Sequence, residues 1–280
     1  MLPGITDSPS LHWSAAGARP VAEQLAAEAP LAIEIAYRRG EQTVRRLLAV
    51  TMRTPGADAE LALGFLHGEG LIRGMAEVTG ARSAAQTVRG ETLPTWIVEL
   101  AQPPREALER VSRNLLTSSA CGFCGRPSLD GLPTSSVGAE GQPRWDPARL
   151  PTLPEQLRSL QPLFHATGGS HGAGLATVAG GIALVREDVG RHNAVDKLIG
   201  AALLAGVPLA EQALVLSGRA SFELVQKASA AGIGLIVAVG APSSLAVDLA
   251  HQSGITLIGF ARDQRFNVYT HAHRVHAGAA

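Results

Sequence analysis

The chain has 280 residues, of which 46% are hydrophobic and only 17% charged, and Lys plus Arg equals Asp plus Glu. A neutral chain with no polybasic stretch lacks the charge to neutralise a phosphate backbone, so an electrostatic nucleic-acid binder is excluded. Apolar runs such as Leu235–Val239 and Ile255–Phe260 are strand-length rather than membrane-spanning, and two cysteines make no disulfide framework. The N-terminus carries no basic segment followed by an apolar run, so the expected location is the cytoplasm.

Residues 1–30 mix Pro, Ala and Gly without a clear period, and a loose N-terminal arm is expected there. Leu31–Arg38 and Arg45–Met52 read as strands, the first alternating apolar and polar residues. Asp58 is placed to cap a helix whose apolar face holds Leu61, Phe65 and Leu66. A strand follows at Trp96–Leu100, and Pro103-Pro104 suits the start of a helix to about Leu116. The next stretch, Thr117 to Gly125, is rich in small residues and reads as a mobile loop, and residues 131–154 are rich in Pro, Gly and Ser. Three segments are therefore expected: an arm (1–30), a smaller α+β domain ending in the cysteine loop (31–130), and an α/β domain (131–280).

The C-terminal half has a different texture. Leu214–Gly218, Leu235–Gly240 and Ile255–Gly259 are short apolar strands that end at glycine. Helical stretches separate them at Ser221–Ala231 and Leu245–Ser253, with Ser243 as a cap. Alternation of this kind predicts an α/β domain with a largely parallel sheet covered on both faces, with ligands taken at the carboxyl ends of the strands.

Cys121 and Cys124 form a C-x-x-C in a loop containing Gly122 and Gly125, with Arg126 just beyond. A neighbouring cation favours the nucleophilic thiolate. Half a zinc site is the blander alternative, but no second C-x-x-C or H-x₃-H completes four ligands. Zinc deaminases carry H-x-E before P-C-x-x-C. Here His67-Gly68-Glu69 precedes the cysteines, but Ala120 stands where that signature needs Pro. His67 reads as a surface residue in a glycine-broken helix end.

Between Arg186 and Lys197, seven of twelve residues are charged or His, at a strand end leading into a helix. His192 and Asn193 in this block suit a heterocycle or a proton transfer, with a solvated turn as the alternative. Three loops lie at consecutive strand ends: Ser217-Gly-Arg219-Ala-Ser221, Gly240-Ala-Pro-Ser243-Ser, and Phe260-Ala261-Arg262-Asp263-Gln264-Arg265. The first two open helices, whose N-termini attract anions, and together the three imply a sizeable anionic ligand, most simply a nucleotide. Thr167-Gly168-Gly169-Ser170-His171 is a further candidate wall, and the His271, His273 and His276 tail reads as a frayed terminus.

From about Leu31 to Thr270 these segments resemble the formate dehydrogenase accessory sulfurtransferase family (FdhD/NarQ). The likeness rests on Thr51–Gly56, Glu60–Phe65, Thr117–Gly125, Thr167–His171, Arg186–Lys197, Ser217–Lys227, Val239–Ala246 and Gly259–Thr270. It implies a C-terminal half like the cytidine-deaminase fold without its zinc, and no permanent metal. It also implies a carrier that takes sulfur from a cysteine desulfurase as a persulfide on Cys121, with Cys124 assisting. The receiver would be the bis-guanine-dinucleotide molybdenum cofactor destined for formate dehydrogenase, contacted by Phe260–Arg265. A homodimer is implied as well. Two other readings stay open: a zinc-dependent deaminase using His67 and Glu69, and a non-catalytic cofactor chaperone.

Overall fold

The computed structural model describes residues 4–88, 90–104 and 143–276. Cys121, Cys124, the expected helix running to Leu116 and the expected boundary near residue 130 lie outside them.

The N-terminal segment is a hairpin rather than a loose arm. Strands β1 (Ile5–Ser14) and β2 (Gly17–Ala26) pair antiparallel from Ile5↔Ala26 to Ser14↔Gly17. In this register Pro9, Leu11 and Trp13 share one face with Ala18, Pro20 and Ala22. That cross-strand pattern carries no period readable along either strand alone.

The first domain is a four-stranded sheet in the order β4-β3-β6-β5, built from β3 (Ala29–Arg39), β4 (Gln42–Arg53), β5 (Val78–Val88) and β6 (Glu91–Leu100). Leu31, Ile33 and Ile35 alternate along β3 and pack with Leu61 and Leu66 of helix α1 (Asp58–Gly68). Each such side chain, fully buried, contributes about 1.5–3 kcal/mol. The sequence Thr79-Gly-Ala-Arg-Ser-Ala-Ala-Gln86 has no apolar alternation, so β5 was not anticipated. Asp58 does not cap α1. Ala57, at φ 55°, holds the cap position, and the Asp58 carboxylate instead takes both Arg53 nitrogens at 2.8 and 2.9 Å.

The second domain is α/β, with a six-stranded sheet in the order β12-β11-β10-β9-β7-β8. Its centre is parallel, as the strand–helix alternation requires: β9 (Ala213–Leu216), β10 (Leu235–Ala238) and β11 (Thr256–Arg262). Antiparallel strands flank it, β7 (His171–Thr177) and β8 (Gly181–Asp188) on one side and β12 (Arg265–Val268) on the other. Alternate residues feed two cores. Leu214, Leu216 and Ile236 meet helices α4 (Arg191–Ala205), α5 (Phe222–Ala230) and α6 (Ser244–Gln252). Val215, Val237 and Ile258 meet Leu153 and Leu157 of the short helix α2 (Leu153–Ser159), which another short helix, α3 (Pro162–Thr167), follows. Among the described residues no helix is long and apolar enough to cross a membrane.

Helices α1 and α4 join the two domains by crossing at glycines. A Cβ on Gly64 would sit 1.8 Å from the Asp196 carbonyl oxygen, and one on Gly200 would sit 1.9 Å from that of Glu60. Only hydrogen at both positions permits this approach.

Candidate functional site

The glycine ends of the parallel strands bring their loops together. Gly240 N donates to Gly218 O (3.0 Å), Phe260 N to Gly240 O (3.2 Å) and Ser243 N to Ala220 O (3.0 Å). A Cβ on Gly240 would meet the Arg219 backbone at 3.3 Å, so the close packing of these loops depends on the missing side chain. Ser243 caps α6 as expected, its Oγ accepting from Ala246 N at 3.3 Å. Ser221 occupies the cap position of α5, and its buried Oγ has no hydrogen-bond partner among the described residues.

Beside these ends lies a cavity of about 1070 Å³. Ala261, Arg262, Asp263 and Gln264 line it from one direction, and Gly168 to His171 with Ser217 from another. The Phe260–Arg265 segment is not a plain loop. Strand β11 runs on to Arg262, and Arg265 pairs with Arg262 to begin β12. The two residues between, Asp263 (φ 50°) and Gln264 (φ 59°), both have left-handed backbone, as a tight two-residue hairpin turn demands. The turn presents Arg262 and Asp263 to solvent, 56% and 77% exposed. The third wall is formed by α2 and α3, including Glu155, Arg158 and Phe164. Sequence reasoning missed this wall, whose only trace was a pair of helix-opening prolines, Pro154 and Pro162.

Other expected site residues stand elsewhere. Arg219, Ser221, Ser243, His192, Asn193, Phe260 and Arg265 do not line the cavity. Asn193 lies where the two sheets' segments meet, with its amide hydrogen-bonded to both. Its Nδ2 donates to Met52 O (2.7 Å) and Asp188 Oδ1 (3.1 Å), and its Oδ1 accepts from Thr51 Oγ1 (3.2 Å). His192, at the start of α4, places Nε2 2.6 Å from a carboxylate oxygen of Glu223 on α5.

The charged side chains on the cavity wall balance, Arg158 and Arg262 standing with Glu155 and Asp263. His171 opens β7 on the cavity wall, where burial first, and then the nearby Arg191 and His192, hold its imidazole below the usual range. It is therefore neutral at neutral pH and able to accept a proton. Glu187 points away, with its carboxylate accepting from Leu163 N (2.9 Å), Phe164 N (2.8 Å) and Ser170 Oγ (2.8 Å). Arg158 and Arg262 remain as the cavity's guanidinium groups, which suits phosphate. The cavity is nucleotide-sized, with two arginines, two carboxylates and a glycine-rich rim.

His67 departs from the surface position expected of it. It is 7% exposed, its Nδ1 lacks a hydrogen-bond partner among the described residues, and burial followed by Lys227 pushes its pKa down. Lys227 itself is held by Asp196, at 2.7 and 2.9 Å.

Comparison with known proteins agrees with this architecture. Residues 26–276 match the model of the FdhD/NarQ family. A protein of Corynebacterium efficiens named sulfur carrier protein FdhD is 51% identical over 233 residues, 79% of this chain and 83% of the relative. A protein of the same name from Streptomyces avermitilis is 45% identical over 265 residues, 92% of this chain and 91% of the relative. A solved structure from Desulfotalea psychrophila, of a candidate formate dehydrogenase accessory protein, superposes with a TM-score of 0.70 at 27% identity. That superposition covers 98% of this chain and all of the other.

Proposed function

Since this chain belongs to the FdhD/NarQ family, we propose that it is a cytoplasmic sulfur carrier that delivers persulfide sulfur from Cys121 to a guanine-dinucleotide molybdenum cofactor bound for formate dehydrogenase. The observation that carries this reading is the pairing of that family match with a large, arginine-bearing cavity at the carboxyl ends of the parallel strands. The sulfur carrier name of relatives up to 51% identical supports the sulfur chemistry, and the Desulfotalea psychrophila protein supports the link to formate dehydrogenase.

The chemistry is thiol exchange. The Cys121 thiolate attacks the outer sulfur of a desulfurase persulfide, forming a new S–S bond while the donor cysteine leaves as thiolate. No net oxidant is needed. Cys124 stands three residues away, placed to assist. The cofactor is cargo. Its pyrophosphate and guanine ends suit Arg262, the Asp263–Gln264 turn and the Gly168–Ser170 rim, and neutral His171 accepts or returns a proton beside them. A homodimer is part of the same reading.

Intact-protein mass spectrometry after incubation with a cysteine desulfurase and cysteine tests the carrier step. The expected result is a reductant-labile gain of one sulfur atom in the wild type and in Cys124→Ala, absent in Cys121→Ala. No gain in any of the three would overturn the carrier reading.

A further inference from the structure

The β1–β2 hairpin has two unlike faces. On one, the pairs Asp7↔Gln24, Pro9↔Ala22, Leu11↔Pro20 and Trp13↔Ala18 follow one another, and all eight residues are exposed. Six of the eight are apolar, with Leu11 54% and Trp13 73% exposed. The opposite face is mostly polar and carries Ser8, Glu23, Ser10, His12 and Arg19. The hairpin's sheet has no third strand, and a two-stranded hairpin alone is marginal in water. Its root is held, since Ile5 and Ala26 are half-buried and Ala27 N donates to Gly4 O (2.7 Å). Beyond the root, a contiguous apolar face stands open to a partner.

The edges of the hairpin do not invite that partner. Ser14 and Gly17 flank a two-residue turn, so they form a hydrogen-bonded pair, and every second pair outward repeats the pattern. Pro9 and Pro20 fall in the pairs between, where backbone N–H groups point to the outer edges. Proline leaves each edge one donor short, which disfavours strand addition. Association is therefore through the face.

We propose that this face packs on the same face of a second copy of the chain, in a two-fold, antiparallel arrangement. A two-fold contact must be self-complementary, and this face is. Its exposed part runs from Asp7 to Trp13 along β1, so full overlap sets the first of these over the last. Leu11 then meets Pro9 of the partner subunit, and Trp13 meets Asp7 of the partner subunit. An indole N–H needs an acceptor once it is covered, and Asp7 carries the one carboxylate of the face. Each copy supplies both halves of that contact. Eight residues a side are fewer than the roughly 20–30 of a stable interface, so the contact by itself gives a dimer that dissociates in the micromolar range. This surface belongs to the homodimer of the reading above and is independent of its sulfur chemistry.

Sedimentation velocity of the full chain over about 1–100 µM tests the contact. The wild type is expected to pass from monomer to dimer across that range. Trp13→Ala and Leu11→Ser, both at exposed positions, should each raise the midpoint concentration by about tenfold or more, with the melting temperature of the monomer unchanged. Asp7→Ala and Trp13→Phe, the second of which keeps a ring and removes the N–H, should each raise it about threefold or more. Together they should do no more than the stronger alone, because both remove the same hydrogen bond. A wild type that stays monomeric throughout, or a dimer untouched by Trp13→Ala and Leu11→Ser, would overturn the proposal. Independent, additive effects of Asp7→Ala and Trp13→Phe would overturn the antiparallel register. Sulfur loading of Cys121 is unaltered in all these variants, so failure here is distinct from failure of the carrier reading.

Discussion

The Lys197 ammonium lies 2.6 Å from Oδ2 of Asp188, and both side chains are almost wholly enclosed, 3% and 0% exposed. Around this pair the two domains are tied. Asp188 Oδ2 also accepts Thr54 N (3.0 Å), Asp188 Oδ1 accepts Gly190 N (2.8 Å), and Lys197 donates to Thr54 O (2.8 Å). Removing one partner of a buried pair strands the other. Asp188→Asn should therefore cost about 3–5 kcal/mol in urea unfolding. Asn193→Ala, which loses two neutral bonds and one to the Asp188 carboxylate at the same seam, should cost about 1–3 kcal/mol. If Asp188→Asn proved as stable as the wild type, the pair would not be what joins the domains.

Glycines at the helix crossing make a second prediction, in which two effects oppose each other. Alanine is favoured over glycine inside a helix by about 1 kcal/mol. At Gly200, however, the added carbon would meet the Glu60 carbonyl at 1.9 Å. Because a backbone atom cannot yield as a flexible side chain can, overpacking wins, and Gly200→Ala should lower stability by about 1–3 kcal/mol. Differential scanning calorimetry would read this as a lower melting temperature, and an increase would show that the helices can separate freely.

The pH dependence of stability should carry a signature of His67. Burial and Lys227 hold its folded pKa below that of the unfolded chain. As pH falls through about 6.5 the unfolded chain takes up a proton that the folded protein resists, so stability is lost below that pH and unaffected above it. Asp196, pushed up chiefly by burial, works in the opposite sense in any variant that retains it. The informative quantity is thus the difference between the wild type and His67→Gln. Unfolding free energies measured from pH 7.5 to 5 should fall more steeply in the wild type, by up to about 1.4 kcal/mol per pH unit. Parallel curves would place the His67 proton uptake elsewhere.

Two arginines that look alike in sequence should differ in ligand binding. Arg219 lies just beyond β9 and Arg262 ends β11, both strands of the parallel centre, but only Arg262 lines the cavity. Arg262→Ala is expected to weaken GDP by about 1 kcal/mol or more, the scale of one charged hydrogen bond at an exposed site. Arg219→Ala should change it by less than twofold. The reverse order in a titration would move the anion site to the Ser217–Ser221 loop.

Much of this molecule is written in local pattern. Short apolar strands ending at glycine, with Ser243 ahead of a helix, specify β9 to β11 and their helices, because buried parallel strands must be apolar on both faces and helix starts need an acceptor. Alternation along Leu31–Tyr37 likewise specifies a sheet over α1. Weak local signals failed where pairing supplied what the strand itself lacked. Strand β5 is held by its register with β6, and the β1–β2 hairpin by cross-strand partners. Neither relation is visible in a single segment.

The α/β class and the family likeness were legible along the chain, since each rests on patterns of residues adjacent in it. Tertiary structure alone decided which polar residues line the cavity. Asn193 was drawn into the domain seam because Met52, Thr51 and Asp188 offer buried partners there. Glu155, Arg158 and Phe164 were brought to the cavity because Leu153 and Leu157 must bury themselves on Val215 and Ile258. Burial of an apolar helix face is non-directional in sequence, so the polar residues it carries to a site are known only once the packing is.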